Sequence, residues 1–164
     1  MILGLSVGAF TTLHVIISLL AIASGLVVVL LMLAGRMARA VTALYLATSI
    51  LTDITGYFFH SKSFGPPHIV GVISLTALGI ATFALYGRKL AGVWRGTWVV
   101  SAVIGLYLNV FVAVVQAFGK LPALHALAPN GTEPPFAVAQ GLTLVLFAVL
   151  GVQAFRRFRP PATT

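Results

Sequence analysis

Residues 11–34 read TTLHVIISLLAIASGLVVVLLMLA, 24 residues without a Lys, Arg, Asp or Glu. About 20 mostly apolar residues, each adding about 1.5 Å of rise, carry a helix across the hydrocarbon core of a bilayer. This stretch is long enough to span. It ends on Gly35, the residue type that most readily takes the left-handed conformation closing a helix.

Working outward, four more stretches have the same character: residues 40–60, 68–86, 97–118 and 136–155. Turn formers separate them. Gly65-Pro66-Pro67 divides the second from the third, Gly87 follows the third, and Pro122, Pro129, Asn130-Gly131 and Pro134-Pro135 break the segment before the fifth. Pro160-Pro161 follows the last. The expectation is an all-α polytopic membrane protein, a bundle of five transmembrane helices forming one domain over residues 1–164. The connection 119–135 is the only long one, and Leu121, Leu124, His125 and Leu127 suit one short interfacial helix. Met1 to Phe10 carry no Lys or Arg, so the basic region of a signal peptide is missing and the first segment reads as retained.

Composition points the same way. Hydrophobic residues make up 60% of the 164 and charged residues 7%, against roughly 45–50% and 25% in soluble domains. Mean hydropathy is +1.10. A soluble domain, a disordered chain and a disulfide scaffold are excluded. The chain has no cysteine, which removes thiolate metal sites and thiol catalysis. The net charge of +8 does not indicate nucleic acid, because the basic residues sit in short clusters between apolar runs. Arg36, Arg39, Arg88, Lys89, Arg95, Arg156, Arg157 and Arg159 fall on one side of a five-span chain, and only Lys62 and Lys120 on the other. The excess marks the cytoplasmic side. The N-terminus is expected outside and the C-terminus in the cytoplasm, where the Arg156-Arg157-Phe158-Arg159 tail would touch anionic lipid.

On this topology the four histidines collect at the outer face. His14 lies one turn inside the first helix, His60 ends the second, His68 begins the third and His125 lies in the long outer connection. On the second helix Ser49, Asp53, Tyr57 and His60 are spaced 4, 4 and 3, one stripe on one helical face. Asn109 and Gln116 on the fourth helix, Gln140 on the fifth, and His14 with Ser18 on the first extend the outer polarity. Asp53 stands out. A carboxylate at helix centre costs roughly 2.5–3.5 kcal/mol on insertion scales, and no Lys or Arg lies within a span to offset it. Protonation, hydroxyl donors, a histidinium or a metal ion would each relieve it.

These residues make a metal site the leading expectation. His60 and His68 are joined by a link stiffened by Pro66-Pro67, and His14, Asp53, His125 or Glu133 would complete the ligand set. Nitrogen and carboxylate ligands without sulfur suit zinc, copper or iron, and ligand atoms around one ion must lie within roughly 3–4 Å of each other. A first alternative is a b-type haem exchanging electrons with quinone, its axial pair being His14 with His60 or His68, and Gly56 and Gly71 leaving room for the ring edge. A second is a non-enzymatic subunit of a membrane complex. A third is a proton-coupled carrier using Asp53. Gly4/Gly8, Gly92/Gly96, Ala21/Gly25 and Gly71/Gly79 read as packing or turn positions. Asn130-Gly131-Thr132 fits a glycosylation sequon, which carries no function by itself.

The segment Phe59-His60-Ser61-Lys62-Ser63-Phe64-Gly65-Pro66-Pro67-His68, with Leu108-Asn109-Val110-Phe111 and Glu133-Pro134-Pro135-Phe136, resembles uncharacterised small polytopic inner-membrane proteins of bacteria. The resemblance implies a bacterial inner membrane and a lipid partner, and no function.

Overall fold

The computed structural model describes residues 1–59 and 65–159. His60, Lys62 and the last residues of the tail lie outside the described residues. Among the described residues the fold is helical, without strands: α1 Val7–Leu33, α2 Arg39–Gly56, α3 Pro66–Thr82, α4 Trp94–Lys120, α5 Pro122–His125 and α6 Pro134–Arg157. A π-helical turn, Phe83–Gly87, continues α3.

Local chemistry explains the helix ends. Ser6 caps α1, its hydroxyl accepting from the N–H of Ala9 at 3.1 Å. This start takes α1 above residue 11 into the apolar leader. At the other end Gly35 has φ +70°. Its N–H donates to Met32 O and that of Arg36 to Leu31 O, the paired bonds of a Schellman motif. Pro66 and Pro67 open α3, where their missing N–H groups cost nothing. Pro122 and Pro134 open α5 and α6 in the same way.

Four helices among the described residues are long and apolar enough to cross a membrane: α1, α3 with its π turn, α4 and α6. α2, with 18 residues, is not one of them. Hydroxyls and Asp53 lower its hydropathy, but Thr48, Thr52 and Thr55 return their O–H to carbonyls at i−4 at 2.6–2.9 Å. Those hydroxyls are satisfied within the helix and present little polarity to their surroundings.

α4 is the central helix. It packs on α1, α2, α3 and α6, while α1 lies along α2. Helices that follow one another in the chain run antiparallel, so the described histidines gather at one end of the bundle and the arginines at the other. The core is closed by Tyr45 and Trp98, with Val28, Met32, Leu78, Val99 and Leu106 around them. Glycine lets Tyr45 in. A Cβ on Gly25 of α1 would stand 2.8 Å from the Tyr45 ring and 2.5 Å from Leu106 Cδ1, and a Cβ on Gly105 of α4 would stand 3.1 Å from Tyr45 Oη. Gly25 is therefore a close-approach position, as the small-residue spacing predicted. At the arginine end, Arg95 Nη1 donates to the carbonyls of Phe155 at 2.9 Å and Phe158 at 2.7 Å, a cation closing the C-terminus of α6.

Candidate functional site

The polar stripe of α2 is longer than the sequence suggested. Tyr45, Ser49, Asp53 and Tyr57 follow at i+4 steps, and each reaches across to another helix. Tyr45 Oη donates to Ala102 O at 2.6 Å. Ser49 Oγ accepts from Asn109 Nδ2 at 3.0 Å. Asp53 faces the Ser74 hydroxyl, and Tyr57 Oη donates to His68 O at 2.8 Å. The first two partners are on α4 and the last two on α3. Four residues overshoot one turn by about 40°, so the stripe winds from one neighbour to the next toward the histidine end. The periodicity pointed to this face, and the rotation explains why it serves two partners.

Asp53 is the least satisfied group on it. Asp53 Oδ2 and Ser74 Oγ are both buried without a partner elsewhere, and the two groups face each other. Ser74 is 1% exposed. Above them the Tyr57 ring is partly exposed. Gly71 makes room for that ring, since a Cβ there would lie 2.8 Å from Tyr57 Oη. The space expected beside Gly71 for a haem edge is taken by Tyr57.

His68 stands in the first turn of α3, beside Tyr57. Its Nδ1 accepts from the Gly65 N–H at 3.1 Å, which makes it the side chain that caps the start of α3. Its ring lies 5.8 Å from that of Tyr57. A lone pair on Nδ1 leaves the proton of the neutral ring on Nε2.

His14 is on the other flank of α2. Its Nδ1 lies 2.8 Å from Thr55 Oγ1. That hydroxyl spends its one hydrogen on Leu51 O at 2.6 Å, so it accepts from His14, and the network assigns the proton to Nδ1 and the lone pair to Nε2. Phe59 packs edge-on against the imidazole at 5.2 Å and Phe10 against Phe59 at 5.2 Å. Gly56 also adjoins it, with a Cβ position 3.8 Å from His14 Cε1. The Lys120 ammonium at the end of α4 acts on it electrostatically. Positions two apart on a helix point to opposite sides, so Thr55 holds His14 toward α1 while Asp53 and Tyr57 face α3.

The remaining expected ligands lie elsewhere. His125 is exposed at the end of α5. Glu133 precedes α6 and closes the preceding loop: Oε1 accepts from Asn130 N at 3.0 Å and Asn130 Nδ2 at 2.8 Å, and Oε2 from Thr132 N at 3.0 Å. Burial pushes this carboxyl up, but the hydrogen bonds outweigh it and bring the pKa down to about 2. The Asn130-Gly131-Thr132 sequence thus forms a turn latched by Glu133. Of the six residues expected to share an ion, Asp53 and His68 lie on the α2–α3 side, His14 lies across α2 from them, and His60 is outside the described residues. Among the described residues, no three His, Asp or Glu side chains are grouped to hold one metal ion. Ser74, Thr55 and Tyr45 are the participants that sequence reading missed. A lone Ser or Thr on an apolar helix gives no periodic signal.

No family model, no curated protein and no solved structure matches this chain.

Proposed function

We propose that the chain is a five-span protein of a bacterial inner membrane, N-terminus outside, that exchanges a proton with the outer side through Asp53. The observation that carries this reading is the Asp53–Ser74 pair: two facing, buried oxygens, neither of which has a hydrogen-bond partner outside the pair. A carboxyl O–H would donate to Ser74 Oγ, and once that proton is lost the Ser74 O–H can turn and donate to the carboxylate, so the pair accommodates both states. Loss of that proton leaves a carboxylate among apolar helices, a costly state that couples proton release to a change at the α2–α3 contact. Tyr57 and His68 border the path from the outer face. α2 serves as the fifth span because its threonine hydroxyls are internally satisfied.

The test is infrared difference spectroscopy of the protein in lipid across a pH step. Wild type is expected to show one protonated-carboxyl C=O band that appears and disappears with pH. Asp53→Asn is expected to fold and lose it, and Ser74→Ala to shift its frequency. A band unchanged in Asp53→Asn contradicts the reading.

A second reading rests on His14. An imidazole with its Nδ1–H fixed by an acceptor and Nε2 presented is oriented as metal ligands are, so His14 is a candidate ligand for zinc, copper or iron at the outer face. The positive charge of Lys120 works against a cation there. Elemental analysis of purified wild type and His14→Gln separates the readings, since a stoichiometric metal lost in the variant supports the second. A Soret band would instead support haem b and quinone electron exchange. Metal-free, colourless protein without the carboxyl band leaves a subunit of a membrane complex.

A further inference from the structure

The arginine end carries a feature unrelated to Asp53. Between the start of α4 and the end of α6 runs an open groove of about 460 Å³, bordered by Gly92, Val93, Arg95, Gly96, Val100 and Phe155. Its walls are mostly apolar, with Val93, Val100 and Phe155 all exposed and Thr97 and Ser101 completing the lining. Its one charge is Arg95, held in place by the Phe155 and Phe158 carbonyls at Nη1 and lying 5.3 Å over the Phe155 ring. Among the described residues, Nε and Nη2 of that guanidinium have no hydrogen-bond partner. Neither acidic side chain is near to take them. The chain has two acids, Asp53 and Glu133, and both belong to the histidine half. The groove extends from Gly92, ahead of α4, to Ser101, which covers roughly 10 Å along α4 at the rise of a helix. A fixed cation at one end and exposed apolar walls leading away from it complement an amphiphilic anion.

We propose that this groove binds an anionic phospholipid, its phosphate on Arg95 and an acyl chain along Val100 and Phe155. Guanidinium recognises phosphate oxygens through paired N–H donors, and basic pockets between membrane helices at the cytoplasmic side are suited to such headgroups. Gly96 keeps the floor low, because a Cβ there would stand 2.6 Å from Phe155 Cε2. The inference requires a bilayer around the bundle, but it is independent of the outer site.

The test is thermal unfolding of the purified full chain in neutral detergent. Added phosphatidylglycerol is expected to raise Tm by roughly 5 °C at saturation. Phosphatidylcholine with the same acyl chains, and inorganic phosphate, are expected to leave it unchanged. Val100→Trp fills the apolar wall from an exposed position and is expected to keep the helical circular dichroism but lose the response. Val93→Trp serves if that variant does not fold. Equal stabilisation by phosphatidylcholine overturns the proposal, and so does a response reproduced by inorganic phosphate. A full response in both groove variants that disappears on deleting the tail beyond Phe158 places the lipid on the terminal arginines and also overturns it.

Discussion

Asp53 and His14 are both polar groups inside apolar helices, and α2 deals with them differently. His14 is fixed by a hydroxyl whose own hydrogen is committed to Leu51 O. Removing that hydroxyl with Thr55→Val should leave the fold intact and let the ring choose its tautomer, which nitrogen-15 shifts of the imidazole would report; an unchanged Nδ1–H signal would show that Thr55 does not set it. Tyr45 is a simpler case. Its Oη bond to Ala102 O is one neutral hydrogen bond, so Tyr45→Phe should lower stability by about 0.5–1.5 kcal/mol, measurable by unfolding in mixed micelles. Glu133 gives a pH dependence of known sign. Its carboxylate is held at about 2 against a usual 4.5. The loop latch is therefore fully formed above about 4.5 and is lost as pH falls through about 2. A carbon-13 titration of the Glu133 carboxyl should show its midpoint well below the usual value, and a midpoint near it would contradict the latch.

At the scale of elements, the α1–α2–α4 contact depends on two glycines. Gly25→Ala places a methyl group against the rigid Tyr45 ring, and overpacking of this kind costs about 1–3 kcal/mol. Gly79, with nothing within 4 Å of its Cβ position, should tolerate alanine with little change. The contrast is checked by comparing the two variants in one unfolding assay. Helix positions were readable because apolar runs and Gly/Pro punctuation are strong local signals. Gly35 and Pro66-Pro67 fall at helix ends for reasons internal to those residues. The partners of the α2 stripe were not readable, since a 40° drift per step determines them only once the packing of α3 and α4 is known. His68 illustrates the limit: an imidazole at a predicted helix start looks like a ligand in sequence, while in the fold its Nδ1 is occupied as the cap of α3.

For the whole molecule, the separation of charge is the organising feature. Eight of ten Lys and Arg lie in segments at one end, and the two acids lie in the other half. A topology reporter fused after Arg159 should read cytoplasm and one inserted at Asn130 the outer side; the same compartment from both would rule out five spans. The proposed crossing of α2 is the part of this topology least evident from hydropathy, and in that reading Asp53 is in reach of the outer water. The chain contains no cysteine, so one introduced thiol reports without background. The most direct measurement is labelling of the Asp53→Cys variant in oriented membranes with a small membrane-impermeant thiol reagent. The account predicts modification when the reagent is added on the outer side and none when it is present only on the cytoplasmic side. Modification only from the cytoplasmic side, or from neither side, would contradict it.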